Sequence, residues 1–68
     1  MEEKQLQPHQ QRVVEERTEL IEKITKLHAF FNTEIFDSLQ EKDQNLLEKQ
    51  VQLMMNYSDV LLERINRF

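Results

Sequence analysis

Apolar residues recur along this chain in two ladders with spacings of three and four residues. That spacing places each ladder on one side of an α-helix. The pattern stops near residues 32–38 and then resumes. It therefore predicts an all-α fold, in which two amphipathic helices fold back on each other as an antiparallel hairpin. The ladders are Leu6, Val13, Leu20, Ile24, Leu27, Phe31 in the first helix and Leu47, Val51, Met54, Leu61, Ile65, Phe68 in the second.

The first helix is expected at about residues 8–31, preceded by a frayed N-terminus over residues 1–7. Pro8 suits the first turn of a helix, where its missing N–H costs nothing. Asn32 is a plausible stop, since asparagine tolerates the left-handed conformation that often ends a helix.

The second helix is expected at about residues 39–67. Ser38 is followed three residues later by Glu41, which is the pattern of an N-terminal capping box. The hairpin domain would then span residues 8–68.

The chain is near the lower size limit for stable folding without help from disulfides, metals or partner chains. It has 68 residues, no cysteine and two histidines without the spacing of metal ligands. Partner chains remain, and apolar flanks that one hairpin cannot bury indicate where they bind. We therefore expect a homo-oligomeric helical bundle without cofactor or metal. The candidate interface residues are Leu46, Leu53, Tyr57 and Val60 in the second helix and Val14 and Ile21 in the first.

Composition excludes several classes of function. The chain contains no glycine and carries a net charge of −4. Glycine-rich phosphate loops are therefore absent, and DNA or RNA binding is not expected because it needs clustered basic residues. The apolar runs are too short for a membrane span, and the first residues lack the order of a signal peptide, so a soluble cytosolic protein is expected. No set of catalytic residues is apparent, and we do not expect an enzyme.

Arginine and tyrosine side chains on the apolar flanks are the candidate ligand-binding residues: Arg12, Arg17, Tyr57 and Arg64. An aromatic ring stacks on a planar base, and guanidinium groups bind phosphates through paired hydrogen bonds. The alternative is that the arginines extend to solvent or pair with glutamates of a neighbouring chain.

The chain resembles a widespread family of very small phage proteins, noticed in crAss-like phages and found in other phages and prophages, generally without an assigned function. The resemblance covers roughly residues 6–68. It is carried by segments 9–16, 19–24 and 26–27 and by Phe36, Leu39, Leu46, Leu47, Gln50, Met54, Tyr57, Leu61, Arg64 and Ile65.

This resemblance implies a phage or prophage product acting in the bacterial host cytoplasm. In size and hairpin architecture the chain is also similar to phage counter-defence sponges. These small helical oligomers sequester the cyclic nucleotide or cyclic ADP-ribose signals of CBASS and Thoeris immunity between subunits. Their N-terminal tyrosine–arginine motif is not visible in this sequence, so no sponge residue is carried over.

Three hypotheses follow. The first is a sponge that holds a cyclic nucleotide or cyclic ADP-ribose-type signal. The second is a binding module that inhibits or adapts a host protein through its exposed apolar flank. The third is a structural coiled-coil piece that associates only with itself.

Overall fold

The computed structural model describes residues 5–68, and these residues form two long helices joined through a short one. Helix α1 spans Pro8–Phe30, α2 spans Glu34–Ser38 and α3 spans Glu41–Asn66. Helices α1 and α3 pack along each other in a rod of 54 × 17 × 16 Å. The predicted helical hairpin is confirmed, with α2 as an addition. Of the segment expected to be frayed, residues 1–4 lie outside the described residues.

Helix α1 begins where the proline predicted it. Pro8 is its first residue. The side chain of Gln10 accepts a hydrogen bond of 2.8 Å from the backbone N–H of Gln7. This N–H has no backbone carbonyl partner within the helix. Capping by two glutamines was not anticipated, because serine, threonine, aspartate and asparagine are the usual residues at this position.

The end of α1 differs from the prediction at Asn32. No residue in the described part of the chain has a positive φ angle, so the expected left-handed cap is wrong. Helix α1 instead ends in right-handed geometry at Phe31, and Thr33 starts the next helix. The Thr33 hydroxyl donates to the Phe30 carbonyl at 2.7 Å and accepts from the Phe36 N–H at 3.2 Å. A single threonine thus serves both helix ends, which removes the need for a left-handed residue.

The predicted capping box at Ser38 and Glu41 is also wrong. Ser38 is the last residue of α2, and its hydroxyl donates to the Ile35 carbonyl at 2.6 Å. The residue that precedes α3 is Gln40. The capping pattern was misleading because α2 extends through Ser38 and the extended residues 39–40 separate it from α3.

Residues of both long helices form one core. Leu61 is completely buried, and it belongs to one cluster with Val13, Leu20, Ile24 and Val51, each less than 10% exposed. Partly buried side chains cover this cluster at its edges. These are Leu27, Phe31, Met54, Ile65 and Phe68. Both predicted ladders therefore face each other.

Aromatic side chains close the connection end of the hairpin. Phe36 of α2 is buried, and its ring centroid lies 4.9 Å from that of Phe31 and 6.1 Å from that of Phe30. The Gln44 side-chain amide donates to the Phe36 carbonyl at 2.8 Å. Helix α2 is thus fixed to both long helices and sets the position of α1 against α3.

Two opposite sides of the hairpin remain apolar and exposed. One is a stripe on α3, which we call the α3 seam: Leu46, Leu53, Tyr57 and Val60, between 45% and 57% exposed. The other, which we call the second apolar face, contains Met55 and Leu62 of α3 and Ile21 of α1, between 38% and 41% exposed. Leu62 lies nine residues after Leu53, which is about 180° around the helix. The two faces therefore point away from each other.

Candidate functional site

The α3 seam borders an open groove of about 520 Å³, the first groove. Its walls are mostly aliphatic and aromatic, and a lysine ammonium and a glutamine amide supply its polar groups. Such a mixture of apolar walls with few polar groups is typical of small-molecule sites. The lining residues are Leu46, Lys49, Gln50, Leu53, Met54 and Tyr57.

A second groove of about 370 Å³ adjoins the first and brings in α1. Gln50 and Met54 line both grooves, so the two form one continuous depression across the hairpin. The Gln50 amide also lies 4.0 Å from the Met54 sulfur, which holds these shared side chains together. The remaining lining residues come from α1 and are Lys23, Lys26, Leu27 and Phe30.

Three of the four predicted ligand residues lie on the grooved side of the hairpin. Tyr57 lines the first groove, and Arg64 lies seven residues, or two turns, further along the same stripe. Arg12 lies eighteen residues, or five turns, before Phe30 and therefore shares its flank of α1. The side chains of Arg12 and Arg64 are both exposed, so their guanidinium groups are available to a ligand.

Arg17 lies on the opposite flank. It precedes Ile21 by one turn, and Ile21 is about 180° around α1 from Phe30. The Arg17 Nε donates to the Ser58 carbonyl at 3.3 Å in a partly buried position. This bond joins α1 to α3, and the Ser58 carbonyl is a partner that the sequence-based alternatives for Arg17, an anion, solvent or a glutamate of a neighbouring chain, did not include.

The predicted interface residues divide between the two apolar faces. Leu46, Leu53, Tyr57 and Val60 form the α3 seam, whereas Ile21 belongs to the second apolar face. Half-buried Val14 lies seven residues before Ile21 on the same flank. A single contact with another copy therefore cannot cover all six residues.

The lysines of the grooves, and Met55 and Leu62 of the second apolar face, are not among the candidates that the sequence indicated. Lys49 lies between Leu46 and Leu53 at spacings of three and four residues, and this spacing could have identified it. Met55 and Leu62 repeat at a spacing of seven. Lys23 and Lys26 gave no such signal, because their position beside Gln50 depends on how α1 packs against α3.

Over residues 5–68, no group of three or more histidine, cysteine or acidic side chains is placed to hold a metal ion. No helix within this same range is long and apolar enough to cross a lipid bilayer.

Fold and grooves together define a small all-helical hairpin with one grooved side. The chain belongs to the Sequestin family, whose model it matches over residues 7–67. The family name indicates sequestration of a target and specifies no ligand. No curated protein and no solved structure matches the chain.

Proposed function

We propose that this protein is a phage counter-defence sponge that acts in the bacterial cytoplasm. It binds a cyclic nucleotide or a cyclic ADP-ribose-type immune signal in pockets between copies and withholds that signal from its effector. The mechanism is stoichiometric binding, without chemical conversion of the ligand. The observation that carries the proposal is membership in the Sequestin family over almost the whole chain.

The chemistry of the grooves supports a ligand that is anionic at one end and planar at the other. Tyr57 offers a half-exposed ring on which a base can stack, and Lys49 offers an ammonium to a phosphate in the same groove. Lys23 and Lys26 extend this positive rim along the second groove. Nucleotide-derived signals combine these two properties.

Pockets between copies are favoured because the grooves of one copy are open on their outer side. A tight small-molecule site encloses most of its ligand. Leu53 and Leu46 beside the groove are more than half exposed, which gives a second copy an apolar surface to cover. One association would bury this surface and enclose the ligand.

Isothermal titration against cyclic oligonucleotides and cyclic ADP-ribose isomers tests the proposal. We expect saturable binding of at least one of them, with the ligand recovered unchanged. Tyr57→Ala should weaken that binding by about tenfold or more, because stacking on an aromatic ring contributes about 1–3 kcal/mol per base. Tyr57→Phe is the matched control and should bind as the parent protein does. No heat with any compound of the panel would rule out the sponge.

A second candidate function is supported by the exposure of the α3 seam itself. A protein that inhibits or adapts a host protein would also need an exposed helical stripe such as Leu46, Leu53 and Val60. Pull-down from bacterial lysate separates the two functions. A sponge retains no stoichiometric foreign protein, whereas a binding module does, and it loses that protein on Leu53→Glu.

A further inference from the structure

The four residues of the α3 seam, taken together with Lys49 on the same stripe, are spaced symmetrically about Leu53. The successive spacings are three, four, four and three residues, from Leu46 through Lys49, Leu53 and Tyr57 to Val60. At 100° per residue, all five lie within about 40° of Leu53 around the helix. The stripe therefore has the same spacing when it is read from either end, which is the condition for pairing with a reversed copy of itself.

In such an antiparallel pair, a two-fold axis passes beside Leu53 and each seam residue meets its symmetric counterpart. Leu46 packs on Val60 of the second copy, and Leu53 packs on itself. Lys49 lies against one face of the ring of Tyr57 of the second copy, a favourable cation–π contact that leaves the other face of the ring to a base. A parallel pair would instead place each Lys49 beside the other. The antiparallel arrangement therefore keeps the two Lys49 ammonium groups apart, and the same symmetry brings Lys42 beside Arg64 of the second copy near each end of the seam.

The same symmetry places both α1 helices on one side of the α3 pair. The two-fold axis is perpendicular both to the α3 helices and to the line that joins them. Rotation about it reverses these two directions but keeps each α1 helix on the side of the α3 pair where it began. The second groove of each copy therefore faces that of the other across the axis. Neighbouring helices pack about 8–10 Å apart, so the two α1 helices lie about 15–20 Å from each other. This distance leaves a cleft between them that is wide enough for a small molecule.

The lysines of the second groove lie at the level of the axis. Lys23 and Lys26 line this groove together with Gln50 and Met54, and these α3 residues lie on either side of Leu53 in the sequence. Both copies therefore direct two ammonium groups into the central cleft. Glu19, one turn before Lys23, is an acidic residue on the same flank. It offsets part of the charge of Lys23, and Glu22 does the same for Lys26 at the same four-residue spacing; neither carboxylate lines the second groove, whereas both lysines do.

We propose that two copies pair antiparallel through the α3 seam with Leu53 on the two-fold axis, and that the resulting cleft binds one anion with two or more phosphate groups between Lys23 and Lys26 of both copies. This inference rests on the proposed function in taking the ligand to be a phosphate-bearing signal. It adds the arrangement of the copies, the residues that hold the phosphates and a stoichiometry of one ligand per two chains.

Cysteine cross-linking tests the arrangement, because the chain contains no cysteine of its own. A disulfide requires Cα atoms within about 7 Å of each other. Leu53→Cys should form a covalent dimer under mild oxidation, and so should an equimolar mixture of Leu46→Cys and Val60→Cys. Leu46→Cys alone should not, because its two copies lie fourteen residues apart along α3, which is about 21 Å.

Glu48→Cys is the matched control, since it is exposed and points away from the seam. If Leu46→Cys and Val60→Cys each cross-link alone, the pairing is parallel and the proposal is wrong. If no seam variant cross-links, the seam does not contact a second copy, and the proposal is also wrong.

Sedimentation with inorganic pyrophosphate tests the cleft. At equal ionic strength, pyrophosphate should lower the dissociation constant of the dimer at least tenfold relative to chloride. Lys26→Gln should abolish that difference. Arg67→Gln should retain it, because Arg67 lies fourteen residues, or about 21 Å, from Leu53, just beyond the end of α3. Equal dimerisation in both salts would overturn the anion site. Neither experiment uses a nucleotide. Either one can therefore fail while the nucleotide titration succeeds, and both can succeed while the titration fails.

Discussion

At the scale of single residues, the packing between the helices depends on one large and one small side chain. Leu61 is 0% exposed at the centre of the core, and Ser58, one turn before it, is 3% exposed. The small serine lets α1 approach α3 closely, and the Ser58 carbonyl accepts the bond from Arg17. Close packing and a hydrogen bond between α1 and α3 therefore coincide within this turn of α3, and the rest of the core extends along the rod to Val51.

Leu61→Ala should lower the free energy of unfolding by about 2–5 kcal/mol, because it removes buried methyl groups and leaves a cavity. Urea denaturation followed by circular dichroism measures the change. Leu62→Ala is the control at the neighbouring position, where the side chain is 38% exposed. At protein concentrations too low for self-association, Leu62→Ala should lower the free energy of unfolding much less than Leu61→Ala. Equal decreases for the two variants would contradict the packing described for α3.

At the scale of the elements, the short helix α2 determines how the two long helices meet. Thr33 caps α2, the ring of Phe36 packs on those of Phe30 and Phe31 at the end of α1, and Gln44 of α3 donates to the Phe36 carbonyl. These contacts fix the direction in which α3 leaves the connection. They also bring the flank of α1 that carries Lys26 beside the grooved side of α3.

Thr33→Ala should destabilise the protein by about 0.5–2 kcal/mol, because it removes the side-chain acceptor at the start of α2. Thr33→Ser keeps the hydroxyl and should preserve most of the stability. Ser38→Ala should cost less than Thr33→Ala, since Ser38 ends α2 at an exposed site and does not cap α3. Thermal unfolding of the three variants ranks their stabilities. A larger loss of stability in Ser38→Ala than in Thr33→Ala would mean that Ser38 caps α3, as the sequence predicted.

At the scale of the whole molecule, the rod has two apolar faces on opposite sides and a core of only a few residues. Exposed apolar area of this kind is stabilised when another chain covers it, at about 25 cal/mol per Å². The α3 seam carries the larger exposed fractions, with Leu53 at 57% against Leu62 at 38%. We therefore expect the seam to form the stronger contact.

Leu53→Glu should dissociate the assembly, raising its dissociation constant at least about 100-fold, because an unpaired carboxylate buried in an apolar contact costs several kcal/mol. Light scattering over a range of concentrations measures the mass. Leu62→Glu makes the same change on the opposite face and should leave a dimer. If the Leu53 variant keeps the parent mass while the Leu62 variant loses it, the second apolar face is the principal interface.

Much of the fold could be predicted from the sequence, and the errors occur where elements meet. Pro8 and the two ladders placed the long helices to within about two residues. Asn32 and Ser38 were interpreted by local capping rules, yet Asn32 lies just before the short helix α2 and Ser38 is its last residue. The Phe36 side chain of this helix is held by tertiary contacts. Of the candidate site, Tyr57 and Arg64 were found because they share a stripe within one helix. Lys23 and Lys26 were missed because they join the site only across two helices.

The sequence by itself determined the two long helices and the ladders that they bury, because helical hydrogen bonds and the 3.6-residue period are local properties. Only the tertiary structure decided which flank of α1 lies beside which flank of α3. That choice placed Lys26 beside the groove of Tyr57 and turned Arg17 toward Ser58 on the other side. The physical reason is that each ladder fixes the buried side of its own helix, whereas the direction of the connection at α2 fixes how the exposed sides combine.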